Sequence, residues 1–152
     1  MKKVLIAIDY NPVSEKVVKE GYELAKTLGA EICLVHVLDD LGYYTTNYPT
    51  FLGYEGYPGI GPDYNVAIEM RTIAEDFIKK AADHLDDPQV KTEIIEGDTA
   101  KALLNFSEEW KADVLVMGTH SHSVLEKLLM GTVAEKVLEK TRIPVYVVPV
   151  KQ

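Results

Sequence analysis

Hydrophobic and polar positions divide the chain into two alternating kinds of segment. Apolar runs at 3–8, 32–38 and 114–118 contain few polar residues, which is typical of strands buried on both faces of a parallel sheet. Between such runs, apolar residues recur at the spacing of an amphipathic helix. The first predicted helix has Val13, Val17, Val18, Gly21, Leu24, Ala25 and Leu28 at this spacing. Further helices are predicted over 64–85, from Asp98 or Thr99 to Trp110, and through Val133, Val137 and Leu138.

The ends of the predicted elements carry residues suited to those positions. Asn11 can cap the first helix and Pro12 fits its first turn, while Gly29 can take the left-handed conformation that ends it. The run at 90–95 alternates in polarity, which favours a strand near an edge. Prolines bracket the last predicted strand, 144–150, and are tolerated at an edge but not inside a sheet.

The alternation of strands and helices predicts an α/β fold. We expect one domain over 1–152, with a single doubly wound five-stranded parallel sheet, strand order 3-2-1-4-5 and helices on both faces. Residues 39–63 fit neither period, because they mix tyrosines with glycines and prolines. Their tyrosines could form a lid over a site, a partner surface or a dimer contact; the alternative is a surface excursion that packs a few rings on the domain.

The composition limits the classes of function. The chain has 152 residues, 47% of them hydrophobic, and its net charge of -8 argues against a general nucleic-acid surface. The apolar start at 4–8 is too short for a signal sequence or a membrane span, so we expect a cytoplasmic protein without membrane contact. The single cysteine, Cys33, lies in an apolar run and is predicted to be a buried structural thiol.

An anion site is predicted where the fourth strand ends. The strand at 114–118 stops at Gly118, enters a loop of small hydroxyl and imidazole residues, and leads to a helix after Gly131. Glycine lets the backbone approach a ligand, and the N–H groups at a helix start attract phosphate. In the expected strand order, Asp9 faces this loop, and its carboxylate suits a ribose hydroxyl. These residues predict a mononucleotide site, although Asp9 can instead cap a helix or bind nearby backbone.

The histidines and the absent motifs favour binding over catalysis. His36 lies inside a buried strand and is expected to be a core residue that is hydrogen-bonded to backbone or water. His120 and His122 resemble half of a metal site, but no third ligand has suitable spacing, so no metal site is predicted. The chain lacks the Gly-x-x-x-x-Gly-Lys-Ser/Thr loop and the Gly-x-Gly-x-x-Gly fingerprint, and no hydrolytic triad stands out. At most a weak ATPase is expected.

Several motifs of the chain resemble those of the universal stress proteins. They are spread over nearly the whole length, at residues 4–9, 34–37, 96–98, 112–120, 131–134 and 143–148. The nucleotide-binding branch of that family has a pattern of Gly, two residues, Gly, nine residues, then Gly and Ser or Thr. Gly118, Gly131 and Thr132 fit this pattern, but Ser121 takes the place of the second glycine.

This resemblance implies an adenine nucleotide, ATP or AMP, with Mg²⁺ accompanying ATP. The adenine would lie against the strand ends, the ribose near Asp9, and the phosphates along the loop and helix that follow the fourth strand. If the second glycine of the pattern needs a positive φ, Ser121 is strained and weakens binding; if the position only needs to be small, the hydroxyl can donate to phosphate. The implied nucleotide-binding residues are Ala7, Asp9, Val37, Met117, Gly118, His120, Ser121, Gly131, Thr132 and Val133.

The last strand predicts association between copies of the chain. Residues 144–150 form a strongly β-prone edge, and isologous pairing of two such edges gives a two-fold dimer. The family resemblance also implies a homodimer through this strand. Two functions are predicted as alternatives. One is a nucleotide-binding stress-response or signalling module with a protein partner; the other is a dimeric interaction module of the same family, in which Ser121 has disabled the pocket.

Overall fold

Strands and helices alternate along the chain in the computed structural model, which describes residues 1–10, 14–39, 64–119 and 131–149. The strands in these residues are β1 (Lys3–Ala7), β2 (Glu31–Leu38), β3 (Lys91–Glu96), β4 (Val114–Gly118) and β5 (Val145–Val148). The helices are α1 (Ser14–Thr27), α2 (Tyr64–Asp83), α3 (Thr99–Glu109) and α4 (Thr132–Lys140). Within the same residues, no helix is both long and apolar enough to cross a membrane.

The strands form one parallel sheet with the order β3-β2-β1-β4-β5, which confirms the predicted order and the α/β fold. β1 is the central strand, and its Val4, Leu5 and Ile6 have no exposed surface. β3 and β5 are the edge strands, as the alternation of polarity in one and the flanking prolines of the other predicted. The sheet therefore buries β1, β2 and β4, and its edges are the mixed strand β3 and the proline-flanked strand β5.

Helices cover both faces of the sheet, as predicted. Successive side chains of a strand point to opposite faces, so neighbouring residues of β1 belong to different cores. On the face covered by α1 and α2, the core contains Ile6, Val17 and Ile78. On the face covered by α3 and α4, it contains Leu5, Leu103 and Val137.

The strand bounds differ from the predicted ones by one or two residues. β1 ends at Ala7, although the apolar run continues to Ile8. The Ile8 backbone N–H still donates to the Val35 carbonyl at 2.9 Å, so the pairing with β2 extends one residue past the strand. β3 begins and ends one residue later than predicted, and β5 is shorter than 144–150.

The turn residues that the structure describes behave as predicted. Gly29 has a φ of +62°, the left-handed conformation expected where α1 ends. Asp98 caps α3, and its carboxylate accepts a hydrogen bond from the Lys101 N–H at 3.2 Å. Asn11 and Pro12, predicted to start α1, lie outside the described residues. So does the predicted loop, apart from its first residue.

Candidate functional site

A cavity of about 320 Å³ lies at the carboxyl ends of the strands, around the ends of β1, β2 and β4. The chain leaves β1 for α1 on one face, whereas α4, which follows β4, covers the other face, so a crevice opens where the two strands end. His120 and Ser121 lie outside the described residues. The other predicted site residues all line the cavity: Ala7, Asp9, Val37, Met117, Gly118, Gly131, Thr132 and Val133.

The Asp9 carboxylate is held by the first residue of α1. The Ser14 hydroxyl donates to Asp9 Oδ1 at 2.8 Å, and the Asp9 backbone N–H donates to the Ser14 hydroxyl oxygen at 3.2 Å. Ser14 is buried, so this reciprocal pair is fixed between β1 and α1. The partner of the carboxylate here is a side-chain hydroxyl, whereas the alternative expected for Asp9 was a bond to backbone, and the contact orients the carboxylate at the cavity wall.

The start of α4 brings backbone donors to the cavity. Gly131 is the N-cap residue, with φ 44° and ψ 150°, and no side chain of the described residues caps the helix. The positive φ explains the glycine. In the first backbone hydrogen bond of α4, the Glu135 N–H donates to the Gly131 carbonyl at 3.1 Å. Thr132, Val133 and Ala134 line the cavity, and N–H groups of a first turn have no intrahelical acceptor, so this helix end favours an anion.

The charge of the cavity comes from carboxylates and from backbone. Asp9 and Asp39 line it, whereas no lysine or arginine does so among the residues that the structure describes. Among the described lining residues, the groups suited to an anion are the N–H groups and the dipole of the α4 N-terminus. The described residues also contain no group of three or more His, Cys, Asp or Glu side chains that could hold a metal ion.

His36 lies near the end of β2, in contact with two aromatic rings. Its Nδ1 lies 2.8 Å from the Ile8 carbonyl oxygen, and 4% of the residue is exposed. Its ring centroid is 4.6 Å from that of Tyr10 and 5.5 Å from that of Phe77. The predicted core role, with a hydrogen bond to backbone, is confirmed. The residue also lines the cavity, which the sequence did not indicate.

Hydrogen bonds connect the end of β2, at the cavity, to the start of α3. The Thr99 hydroxyl donates to Asp39 Oδ1 at 2.9 Å, and the Gly97 N–H donates to the Leu38 carbonyl at 3.0 Å. Asp39 could have been predicted from the sequence as a site residue, because it directly follows a strand of the parallel sheet at the edge where ligands bind. Met70 could not have been predicted in this way, because only the packing of α2 brings it to the cavity. The other lining residues not singled out are Ile8, Tyr10, Ser14, Val17, Val35, His36, Leu38, Thr99, Leu103 and Ala134.

Cys33 lies in the core beneath α3 and α4, and it is not one of the residues that line the cavity. It is 2% exposed, and burial together with the nearby Glu93 raises the pKa of its thiol to about 12. The thiol is therefore protonated and shielded at neutral pH. The predicted buried structural thiol is confirmed.

Solved proteins with this fold include several universal stress proteins. UspA of Lactobacillus plantarum has a TM-score of 0.76 at 17% identity, with 97% of each chain covered. A universal stress protein in complex with cAMP has a TM-score of 0.65 at 21% identity, covering 97% of this chain and 96% of that one. The Archaeoglobus fulgidus protein in complex with dAMP has a TM-score of 0.65 at 17% identity, with 97% of each chain covered. These likenesses establish the fold.

Sequence comparison identifies the family as well as the fold. Universal stress protein MJ0531 of Methanocaldococcus jannaschii is 31% identical over 149 residues, which cover 97% of this chain and 81% of that protein. The model of the universal stress protein family matches residues 1–149. Because this match spans nearly the whole chain and agrees with the fold, the chain belongs to the universal stress protein family.

Proposed function

We propose that the protein binds an adenine nucleotide, ATP or AMP, in this cavity and acts as a stress-response or signalling module. The observation that carries the proposal is that the cavity combines the Asp9 carboxylate with the N-terminus of α4. A carboxylate suits a ribose hydroxyl and a helix start suits phosphate, so the two features match adjoining parts of one ligand class. The volume lies within the range of about 300–1,000 Å³ that is typical of small-molecule sites.

The proposed placement follows the chemistry of the walls. We place the base against the apolar surface of Val37 and Ala7, and the ribose between Asp9 and Gly118. We place the phosphates at the start of α4, together with His120 and Ser121, which precede this helix in the sequence. The two solved family members in complex with cAMP and dAMP support the choice of adenine, because both ligands are adenine nucleotides.

The electrostatics favour binding over turnover. No lysine or arginine lines the cavity in the described part of the chain, so the charge that develops during phosphoryl transfer lacks cationic stabilisation from it. We therefore propose a binding module with at most weak ATPase activity. Mg²⁺ would enter with the phosphates of ATP rather than through a dedicated set of protein ligands.

Calorimetry with AMP and ATP on nucleotide-stripped protein tests the proposal. Asp9→Ala should weaken binding by about 10- to 100-fold, because it removes a charged hydrogen-bond acceptor. Asp83→Ala is the matched control, since it removes an exposed carboxylate at the far end of α2 and should leave binding unchanged. Equal affinity of the wild-type and Asp9→Ala proteins would contradict the proposed ribose site.

Ser121→Gly distinguishes the two functions predicted from the sequence. If the wild-type protein fails to bind and Ser121→Gly binds, the serine has disabled the pocket, and the chain acts as a dimeric interaction module. If neither binds, the nucleotide proposal is wrong. If the wild-type protein binds and the glycine changes little, the position only needs a small residue.

We also propose that the protein is a cytoplasmic homodimer that pairs through residues 144–150. β5 is the last strand of the sheet, and Tyr146 in it is 41% exposed. Pairing of two such edges about a two-fold axis would satisfy their backbone groups. Sedimentation equilibrium at micromolar concentration should give twice the chain mass, and a monomer mass would refute the dimer.

A further inference from the structure

The hydrogen bond of His36 fixes which ring nitrogen carries the proton. Its Nδ1 lies 2.8 Å from the Ile8 carbonyl oxygen, which can only accept. Nδ1 must therefore donate, and in the neutral imidazole the opposite nitrogen, Nε2, keeps a lone pair and acts as an acceptor.

His36 is one of the residues that line the cavity. Among the residues that the structure describes, no buried side-chain nitrogen or oxygen lacks a hydrogen-bond partner. The hydrogen bond found for His36 involves Nδ1, so Nε2 must have accessible surface. The residue is 96% buried and lines the cavity, so a ligand bound in the cavity is the partner that Nε2 can meet.

The imidazole is held in place before any ligand arrives. The Tyr10 ring packs against it at 4.6 Å between centroids, the Phe77 ring at 5.5 Å, and the Nδ1 bond fixes its rotation. A fixed acceptor in a mostly apolar wall selects ligands that carry a matching donor, since a ligand without one leaves the acceptor unpaired.

We infer that His36 Nε2 accepts a hydrogen bond from a donor group of the bound nucleotide and so makes His36 a specificity-determining residue of the site. This inference rests on the proposed nucleotide function. An adenine nucleotide offers two kinds of neutral donor, the exocyclic amine of the base and the ribose hydroxyls. If the donor is the amine, a 6-oxo purine would place a carbonyl opposite the lone pair of Nε2, which is unfavourable.

The test compares AMP with three analogues that each lack one donor. Purine riboside monophosphate lacks the amine, and 2′-deoxy-AMP and 3′-deoxy-AMP each lack one hydroxyl. Each ligand is titrated into wild-type protein, His36→Asn and Phe77→Leu. Asparagine keeps an amide donor for the Ile8 carbonyl but has no atom at the position of Nε2. Phe77→Leu perturbs the packing of the imidazole and leaves its hydrogen bonds, so it is the control for a merely structural effect.

We expect the preference for AMP over one analogue to fall by about 3- to 10-fold in His36→Asn, the value of one hydrogen bond. The analogue affected identifies the donor. Phe77→Leu should change all four affinities by the same factor. The inference is overturned if His36→Asn keeps every preference. Absence of AMP binding in both wild-type and Ser121→Gly proteins would instead refute the proposed function, and the inference with it.

A second measurement needs no substitution. Nitrogen NMR of wild-type protein labelled at its histidines should show the proton of His36 on Nδ1. The Nε2 resonance should shift on addition of AMP and shift less with the analogue that lacks the matching donor. A proton found on Nε2 in the free protein, or an Nε2 resonance that AMP does not move, would overturn the inference.

Discussion

Gly21 sets how closely α1 approaches the sheet, and Gly21→Ala tests this contact. A Cβ built on Gly21 would lie 2.8 Å from Ile6 Cδ1, 3.0 Å from Ile6 Cγ1 and 3.1 Å from Val116 Cγ1. Ile6 and Val116 are fully buried in β1 and β4, so neither side chain can move into solvent. The new methyl group must therefore displace packed atoms or push α1 away from the sheet.

Two opposing effects determine how much Gly21→Ala changes the free energy of unfolding. Alanine in a helix interior is favoured over glycine by about 0.8–1.0 kcal/mol. Overpacking of a full core costs about 1–3 kcal/mol. With three contacts below 3.2 Å against buried partners, we expect the upper part of that range and a net loss of about 1–2 kcal/mol in the free energy of unfolding.

Urea unfolding of Gly21→Ala, Ile6→Val and the double variant measures the effect. Ile6→Val removes Cδ1, the closest atom, and alone should destabilise by about 0.5–1.5 kcal/mol. In the Gly21→Ala protein, Ile6→Val should lower the free energy of unfolding by at least about 0.5 kcal/mol less than it does in the wild-type protein, because it relieves the clash. Lys19→Ala, an exposed change on α1, should stay within about 0.5 kcal/mol of wild type. A Gly21→Ala protein more stable than wild type, or additive double-variant energies, would refute the argument.

Two further predictions concern titratable groups. Because burial raises the pKa of the Cys33 thiol to about 12, the native protein should resist Ellman's reagent at pH 8 and react promptly in urea; equal rates in both would contradict the burial. The Gln89 N–H and the Tyr22 hydroxyl lower the pKa of Asp87, so its carboxylate stabilises the fold above the unfolded-state pKa of about 3.9 and loses that effect as pH falls through the lower native pKa. Asp87→Asn should be less stable than wild type at pH 7, with a gap in urea unfolding that closes at acid pH; a gap independent of pH would contradict this.

The sequence predicted the fold because its signals are local and repeated. Continuous apolar runs marked the buried strands, and the mixed polarity of 90–95 marked an edge. Asp9 and Gly118 could be placed at one cavity because a doubly wound sheet brings the ends of its first and fourth strands together. That step used topology alone and needed no side-chain detail.

The features that escaped prediction depend on side-chain direction and on packing between distant segments. The sequence around His36 indicated a buried position, but not that its ring donates to the Ile8 carbonyl or that the residue lines the cavity. The helical spacing of Gly21 suited any small residue, and the 2.8 Å distance to Ile6 appears only when α1 is packed on β1. Periodicity identifies a face, whereas the partner on that face is set by the tertiary structure.

The cavity is lined by elements from both faces of the sheet, so a bound ligand would contact both helical layers. The Asp9–Ser14 pair belongs to the connection between β1 and α1, on the face that contains Ile6 and Val17. The start of α4 belongs to the other face. A nucleotide that contacts both holds the two helical layers together at the edge where their strands end, so its binding energy would oppose their separation.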